Sequence, residues 1–453
     1  MSGFDELRAR IQADVFAGLP AHFSRLTWSE DRLRGWQRDR LRALLATASR
    51  RSAFHRRRLA GIDPARFELA DLSSLPVMTK AGLMADFDAA SCDPRLTREA
   101  AERALAATGT EPRPLPGGFL CMATGGSSGQ RGIFAYDRAG VAEFASLIFR
   151  SRLAALGADP AQVPGITFAM VGAPSAVHGT MFIPVMLAGS QVRFSFVPVT
   201  WPVRDIVRRL NELRPDGLFG YPSMLARLAA EQHAGRLAIA PRMVNSTAET
   251  LLPEFRAAIS EAFGAPITDT FASSEGLVGA SAPDGAVITM ATDSCLVELV
   301  DDAYRPVPPG TASAKVLITN LYNTLQPLIR YELADSFTRQ PDSPGHGHLR
   351  VTVVGRSDEI LRYPSADVHP VVLRSVLLTH PGVVDYVVTQ TPRGVAVLIL
   401  VDCEHGVALV GLRESLRGAL HRAGLADPEV HVDAVDSLPR HPETGKLRRV
   451  IPA

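Results

Sequence analysis

A chain of 453 residues exceeds one ordinary domain and should hold a large domain with at least one smaller one. Its 46% apolar and 21% charged residues are ordinary for a globular protein, and a formal net charge of +1 leaves no global field for nucleic acid or a membrane surface. Cys92, Cys121, Cys295 and Cys403 lack metal-ligand spacing, no apolar leader opens the chain and no apolar run could span a bilayer, so a cytoplasmic protein is expected.

Residues 1–60 alternate apolar and charged positions at helical spacing, with ten arginines between Asp31 and Ala60. Only Trp36 and Phe54 interleave with those arginines, so they read as a solvated helix face rather than a nucleic-acid patch. In Leu75-Pro76-Val77-Met78-Thr79-Lys80, Pro76 favours extended backbone and Thr79 is placed to cap a helix.

Met122 to Gly132 is the most distinctive run: Met-Ala-Thr-Gly-Gly-Ser-Ser-Gly-Gln-Arg-Gly. Glycine amides can approach a phosphate closely, and Thr124, Ser127 and Ser128 add hydroxyl donors. Strand-like stretches 118–122 and 132–136 flank it, which makes it a hairpin tip. That is not the strand-to-helix setting of a Walker loop, and a plain flexible turn is as consistent as a phosphate cradle.

A helix over 138–155 should follow. Strands are expected at 165–171, 191–199, 217–220, 242–246 and 267–271, and helices at 203–213, 224–232 and 253–263. Such alternation argues for a parallel α/β sheet whose ligands sit where strands end. Beside those ends lie Tyr136, His178, Tyr221 and Ala248, candidates for a substrate pocket by position. Thr270-Phe271-Ala272-Ser273-Ser274-Glu275-Gly276 offers two serine hydroxyls, a carboxylate and a glycine. That set suits a hydrated magnesium ion and phosphate oxygens, or equally a helix cap.

From 287 to 354 the pattern changes to short strands (296–300, 315–321, 326–331, 348–354) broken by Pro and Gly, a β-rich subdomain. His346 and His348 read there as an exposed turn. The last hundred or so residues read as a small α+β domain: helices 371–380 and 409–423, strands 383–389, 395–401 and 429–435. It closes on Pro442-Glu443-Thr444-Gly445-Lys446.

In order, these pieces resemble the adenylate-forming (acyl-activating) superfamily, in its phenylacetate–CoA ligase-like branch, over about residues 70–450. Leu75–Lys80 resembles that branch's Leu-Pro-aromatic-Thr-Thr-Lys segment. Gly126-Ser127-Ser128-Gly129 resembles its phosphate loop, and Ala248-Glu249 the Gly-Ala-Glu that lines adenine. Phe271–Glu275 stands where Tyr-Gly-x-Thr-Glu is expected, and Leu328–Asp335 where Ile-Arg-Tyr-Arg-Thr-Gly-Asp is. Gly355-Arg356-Ser357-Asp358 is similar to the hinge, and Pro442-x-Thr444-Gly445-Lys446 to the C-terminal lysine motif.

The resemblance implies an α/β fold in which a large N-terminal adenylating domain, 1–356, of α/β layers plus a β-rich subdomain, is followed by a small mobile α+β lid, 357–453. It implies ATP with Mg2+, the acid substrate, and roles for named residues. Thr124, Gly126, Ser127, Ser128 and Gly129 hold phosphates. Ala248, Glu249, Phe271 and Ser273 line the nucleotide. Ser274 and Glu275 organise the metal, Glu275 supplying the carboxylate. Asp335 and Arg356 grip the ribose, and Lys446 stabilises charge in the in-line displacement. The activity implied is activation of a small aryl carboxylic acid as its acyl-adenylate, then transfer to CoA or a carrier thiol.

Three departures bear on this. Gln130 and Arg131 replace the loop lysine and proline, and Leu333-Ala334 replace Thr-Gly before Asp335. Beyond the hinge, Ser365 and Asp367 stand where the family has a glycine and, two residues on, an asparagine beside the CoA thiol arm. CoA is therefore expected to be a poor acceptor. The alternative reading passes the activated group to a non-thiol nucleophile such as an amine, including nitrite activation for arylamine diazotisation. No nucleic acid or membrane partner is expected, and a homodimer is left open.

Overall fold

The computed structural model describes residues 3–124, 131–155, 166–190, 193–343, 346–356, 359–377, 380, 382–401, 407–441 and 444–453. Gly126, Ser127, Ser128, Gly129 and Gln130 of the glycine-rich run lie outside them, as do Asp358 of the hinge, Pro442 and Cys403. The chain divides into two compact units, Met1–Val354 and Gly355–Ala453.

The first unit opens with helices Gly3–Arg25, Glu30–Arg51 and Ala53–Arg58. Ile11, Val15 and Leu19, spaced by four, bury one face of the first helix, which packs on the helix Arg138–Ala155 and shares a core with its Phe144, Leu147 and Ile148. Not all the arginines of this region are solvated. Arg25 is buried, and Arg58 donates to the Pro76 and Ile329 carbonyls.

Strands β1 (Leu120–Ala123) and β2 (Ile133–Tyr136) pair antiparallel and flank the glycine-rich run. The body is a nine-stranded sheet among the described residues. Its parallel half is built from β3 (Thr167–Gly172), β4 (Arg193–Pro198), β5 (Gly217–Gly220), β6 (Met243–Thr247) and β7 (Ile267–Ala272), ordered 4-3-5-6-7. β5 and β6 are buried at every position, as strands covered on both faces must be. Beyond β7, β8 (Val278–Ser281) and β9 (Ile288–Met290) continue antiparallel.

β10 (Cys295–Val300), β11 (Lys315–Asn320) and β12 (Tyr331–Leu333) form a separate antiparallel sheet, while β13 (Asp335–Arg339) and β14 (Arg350–Arg356) close the large one. The predicted strand 326–331 is mostly loop. Side chains do the work of a ladder there: Asn320 Oδ1 accepts from the Tyr322 and Asn323 amides, and Asn323 Oδ1 from those of Leu325 and Gln326. Arg330 takes a positive φ of 48°, which also ends any strand before it.

A further correction concerns His348, which is buried, not in an exposed turn. Its ring bonds the Thr292 hydroxyl at 3.1 Å and the Arg25 carbonyl at 2.8 Å.

The second unit is a four-stranded sheet of β17 (Val383–Thr391), β18 (Gly394–Val401), β19 (Glu429–Val435) and β20 (Val450–Ile451), ordered 19-18-17-20 and covered by helices Pro370–Leu377 and Leu409–Arg422. A two-stranded hairpin, β15 (Leu361–Arg362) with β16 (Asp367–Val368), precedes it. Among the described residues no helix is long and apolar enough to cross a membrane.

Candidate active site

The glycine-rich run leaves β1 through Thr124, whose amide donates to the Gly132 carbonyl at 3.0 Å while its hydroxyl accepts from the Gly132 amide at 2.9 Å. The base of the hairpin is thus closed by one residue's backbone and side chain. Ala123 N also donates to Val177 O at 3.0 Å, placing the hairpin beside buried His178, whose carbonyl accepts the first amides of helix Gly179–Leu187.

The parallel strands β5, β6 and β7 deliver three loops to one edge of the sheet, where ligands of such sheets bind. Tyr221 follows β5. It is fully buried and its hydroxyl accepts from the Ala173 amide at 3.1 Å. Ala248 and Glu249 follow β6. Ala248 holds a φ of +70°, costly for a residue with a Cβ, and Glu249 Oε2 accepts from Ser223 N in the first turn of helix Pro222–His233. Behind them on β7, the buried carboxyl of Asp269 accepts from Ser246 Oγ at 2.5 Å. Burial pushes it up to about 6.

Ser273–Gly276 follows β7 as a tight turn, closed by Gly276 N to Ser273 O and Ser273 N to Leu277 O, both 3.0 Å. Glu275 is 6% exposed. Burial together with the Glu275 charge raises the phenols of Tyr136 and Tyr331. Ser273 Oγ and Tyr331 Oη are buried with no hydrogen-bond partner among the described residues. An acid, serine hydroxyls and an orphaned buried oxygen make an all-oxygen donor set, which fits a hard, partly hydrated cation such as Mg2+. Asp335 begins β13, half-buried.

Leu75–Lys80 serves this region structurally. Met78 pairs with Tyr331, Arg330 Nη1 donates to the Ser73 and Leu75 carbonyls, and Thr79 caps helix Lys80–Ala85 through the Gly82 amide at 3.1 Å. Cys92 and Cys121 are buried thiols pushed up to about 11 and about 12 by burial, and buried Cys295 is raised likewise. None of the three offers a thiolate at neutral pH.

In the second unit, Lys446 closes a turn in which Gly445 N donates to His441 O at 2.8 Å and His441 N to Lys446 O at 3.0 Å. Gly445 has a φ of +63°, the left-handed value that favours glycine. β20 then pairs parallel with β17, and the partly buried Arg449–Asp385 pair at 2.9 Å anchors the segment. Arg356 ends β14. In the β15–β16 hairpin, Asp367 is paired on the surface with Arg362 at 3.3 Å, so its charge is partly compensated.

No family profile matches the chain. Over 380 residues it is 26% identical to the phenylacetate–coenzyme A ligase of Thermus thermophilus, covering 80% of this chain and 78% of that enzyme. Its fold is similar to that of a 2-hydroxyisobutyryl-CoA ligase in the postadenylation state, with a TM-score of 0.72 at 18% identity, over 95% of this chain and 91% of that one. The chain thus resembles a CoA ligase in sequence and another in fold. The amide bond synthetase McbA from Marinactinospora thermotolerans shares the fold more distantly, with a TM-score of 0.53 at 17% identity over 73% of this chain and 68% of that one.

The residues of this site that sequence reasoning missed are Asn320, Tyr322, Asn323 and Gln326. Three consecutive carbonyls of the acidic turn are each held by a different side chain: Ser274 O by Tyr136 Oη at 2.7 Å, Glu275 O by Asn320 Nδ2 at 2.9 Å and Gly276 O by Tyr322 Oη at 3.0 Å. Asn323 Nδ2 donates to Ala135 O, and Gln326 Oε1 accepts from Ala135 N, both at 2.9 Å. The one available signal was compositional: three amide side chains within seven residues.

Proposed function

We propose that this chain is an ATP-dependent ligase that activates a small carboxylic acid, an aryl acid foremost, as its acyl-adenylate and passes the acyl group to a thiol, CoA or a carrier. An acid oxygen attacks the α-phosphorus of ATP and the bond to diphosphate breaks; a thiol sulfur then attacks the acyl carbon and AMP leaves. The observation that carries this reading is the 2.7 Å hydrogen bond from Tyr136 to Ser274 O. It ties the strand leaving the glycine-rich run to the acidic turn, so chemistry suited to phosphate and chemistry suited to a cation belong to one place.

In this reading Thr124, Gly126, Ser127, Ser128 and Gly129 cradle phosphates, while Ala248, Glu249, Phe271 and Ser273 line the nucleotide. Glu275 and Ser274 hold Mg2+, which supplies charge neutralisation on the phosphates when bound. Asp335 and Arg356 hold the ribose, and Lys446 stabilises charge developing at the α-phosphate. His178, Tyr221 and Tyr136 shape the acid pocket; the last acts through its hold on the turn. Buried thiols and ATP dependence suit the cytoplasm.

A second reading, transfer to an amine or another non-thiol nucleophile, is favoured by the β15–β16 hairpin. There the Tyr363 amide bonds Ala366 O at 3.0 Å, closing a turn stiffened by Pro364 and carrying Ser365 where the resemblance has glycine. The Arg362 pairing weakens the charge argument from Asp367 but leaves the backbone one. Both readings are tested by a panel of acids, nitrite included, assayed for ATP consumption with CoA and with amines. Thioester formation at sub-millimolar CoA supports the first; turnover only with amines supports the second; no acid-dependent consumption contradicts both.

A further inference from the structure

The polar side chains of 320–326 that the structure pairs act on two loops at once. Asn320 and Tyr322 hold the carbonyls of Glu275 and Gly276. Asn323 and Gln326 hold the outer edge of β2, with Gln326 Nε2 reaching Ile133 O at 3.4 Å in addition to the two bonds at Ala135. Among the described residues β2 has only β1 as a strand partner, and these amides stand in for a third strand. Asn320, Asn323 and Gln326 are at most 1% exposed. Water therefore cannot substitute for them cheaply.

We propose that 320–326 is a brace with two separable ends, the Asn320–Tyr322 end positioning the Glu275 carboxylate and the Asn323–Gln326 end positioning the base of the glycine-rich hairpin. None of the four is a catalytic residue; each acts through a backbone group of the loop it holds. The inference rests on the ligase reading, which gives the two loops different ligands, the cation and the phosphates. The fit at the first end is close. Gly276 has a φ of +101°, and a Cβ there would stand 2.3 Å from both Asn320 Nδ2 and Tyr322 Oη. The clamp thus rests on bare backbone, and a displacement of either donor is transmitted to the neighbouring Glu275 peptide. The Tyr136 and Tyr322 rings lie nearly parallel, 6.3 Å apart, so the two phenols that bracket the turn also fix one another.

Two variants separate the ends. Tyr322→Phe deletes one donor and keeps the ring; Gln326→Met removes both amide bonds to β2. The assays are Mn2+ affinity by electron paramagnetic resonance with a non-hydrolysable ATP analogue present, binding of that analogue without metal, and hydrogen exchange of the amides of 276–277 and of 133–135. Tyr322→Phe should weaken Mn2+ about fivefold, the factor that one neutral hydrogen bond carries, and speed exchange at 276–277 only. Gln326→Met should weaken metal-free analogue binding by a similar factor and speed exchange at 133–135 only. Should Gln326→Met not fold, Asn323→Asp tests the same end, since it removes the donor to Ala135 O and keeps the acceptor that serves Leu325 and Gln326. Both variants moving both constants alike, or neither constant moving while exchange quickens, overturns the two-ended brace. Glu275→Gln is the reference: if it leaves Mn2+ affinity unchanged, the cation assignment of the ligase reading is what fails.

Discussion

Replacing Asp269 by asparagine should remove a pH-dependent penalty that the fold carries on β7, behind the loops proposed to line the nucleotide. Burial pushes this carboxyl up to about 6 from 3.8; its bond from Ser246 and the proximity of Arg256 offset only part of the desolvation. Because the folded pKa lies above the unfolded one, the native state binds the extra proton between about pH 4 and pH 6. Stability from this group therefore falls as pH rises through that window and is level above it. A gap of about two pK units at 1.36 kcal/mol each makes a total of about 3 kcal/mol. Spread over the unit Met1–Val354, with an unfolding entropy of about 2.1 cal/mol/K per residue, that is about 4 °C in Tm. Calorimetry of wild type and Asp269→Asn without nucleotide, from pH 4 to pH 7.5, should show the variant gaining about 4 °C on wild type across the range. A constant offset between the two would mean that Asp269 titrates as an ordinary carboxylate and would refute the reasoning.

Two other substitutions follow from geometry. Arg150 and Asp293 are 1% and 0% exposed and joined by two 2.7 Å bonds, so Arg150→Met, which strands a buried carboxylate, should cost about 3–5 kcal/mol in urea unfolding. Burial would raise Asp293, but the Arg150 guanidinium outweighs it and holds the carboxyl at about 2. The pair's stabilisation is full above about pH 4 and lost towards pH 2, and the variant should lack that acid limb. Gly276→Ala should slow adenylate formation at least tenfold and lower the melting temperature, because a Cβ at φ +101° meets both Asn320 and Tyr322; a variant with wild-type turnover would show that the turn tolerates displacement.

Much of the parallel sheet was legible because its signals are local. Strand Gly217–Gly220 and helices Val203–Leu213 and Pro253–Phe263 stand at the predicted bounds: apolar spacing and a proline at the start of the third define them without reference to the rest of the chain. Strands β8, β9 and β13 were not legible, being three to five residues long with no sustained alternation. The stretch 326–331 looked like a strand because Leu328 and Ile329 are apolar. They are buried in a loop instead, whose turns close on the Asn320 and Asn323 side chains and whose Arg330 bonds the distant Ser73 and Leu75 carbonyls, contacts that local sequence does not announce. His348 misled for the same reason: Gly and Pro beside it suggest a turn, while its partners Thr292 and Arg25 lie 56 and 323 positions away. At the site, the residues proposed to bear the chemistry stand in short motifs. Tyr322 and Gln326, which hold those motifs in place, act on carbonyls and amides and so leave no pattern of their own.

The most direct measurement is acid-dependent exchange of labelled diphosphate into ATP, in the absence of any acceptor, by wild type and Lys446→Ala. Exchange reports reversible adenylate formation alone and is indifferent to whether CoA or an amine comes next. The expected result is exchange that requires a carboxylic acid and Mg2+. Lys446→Ala should slow it about 10²-fold or more, with ATP binding nearly unchanged, the scale on which one transition-state donor acts. No exchange with any acid of the panel, or equal rates in the two proteins, would contradict adenylate formation by this site.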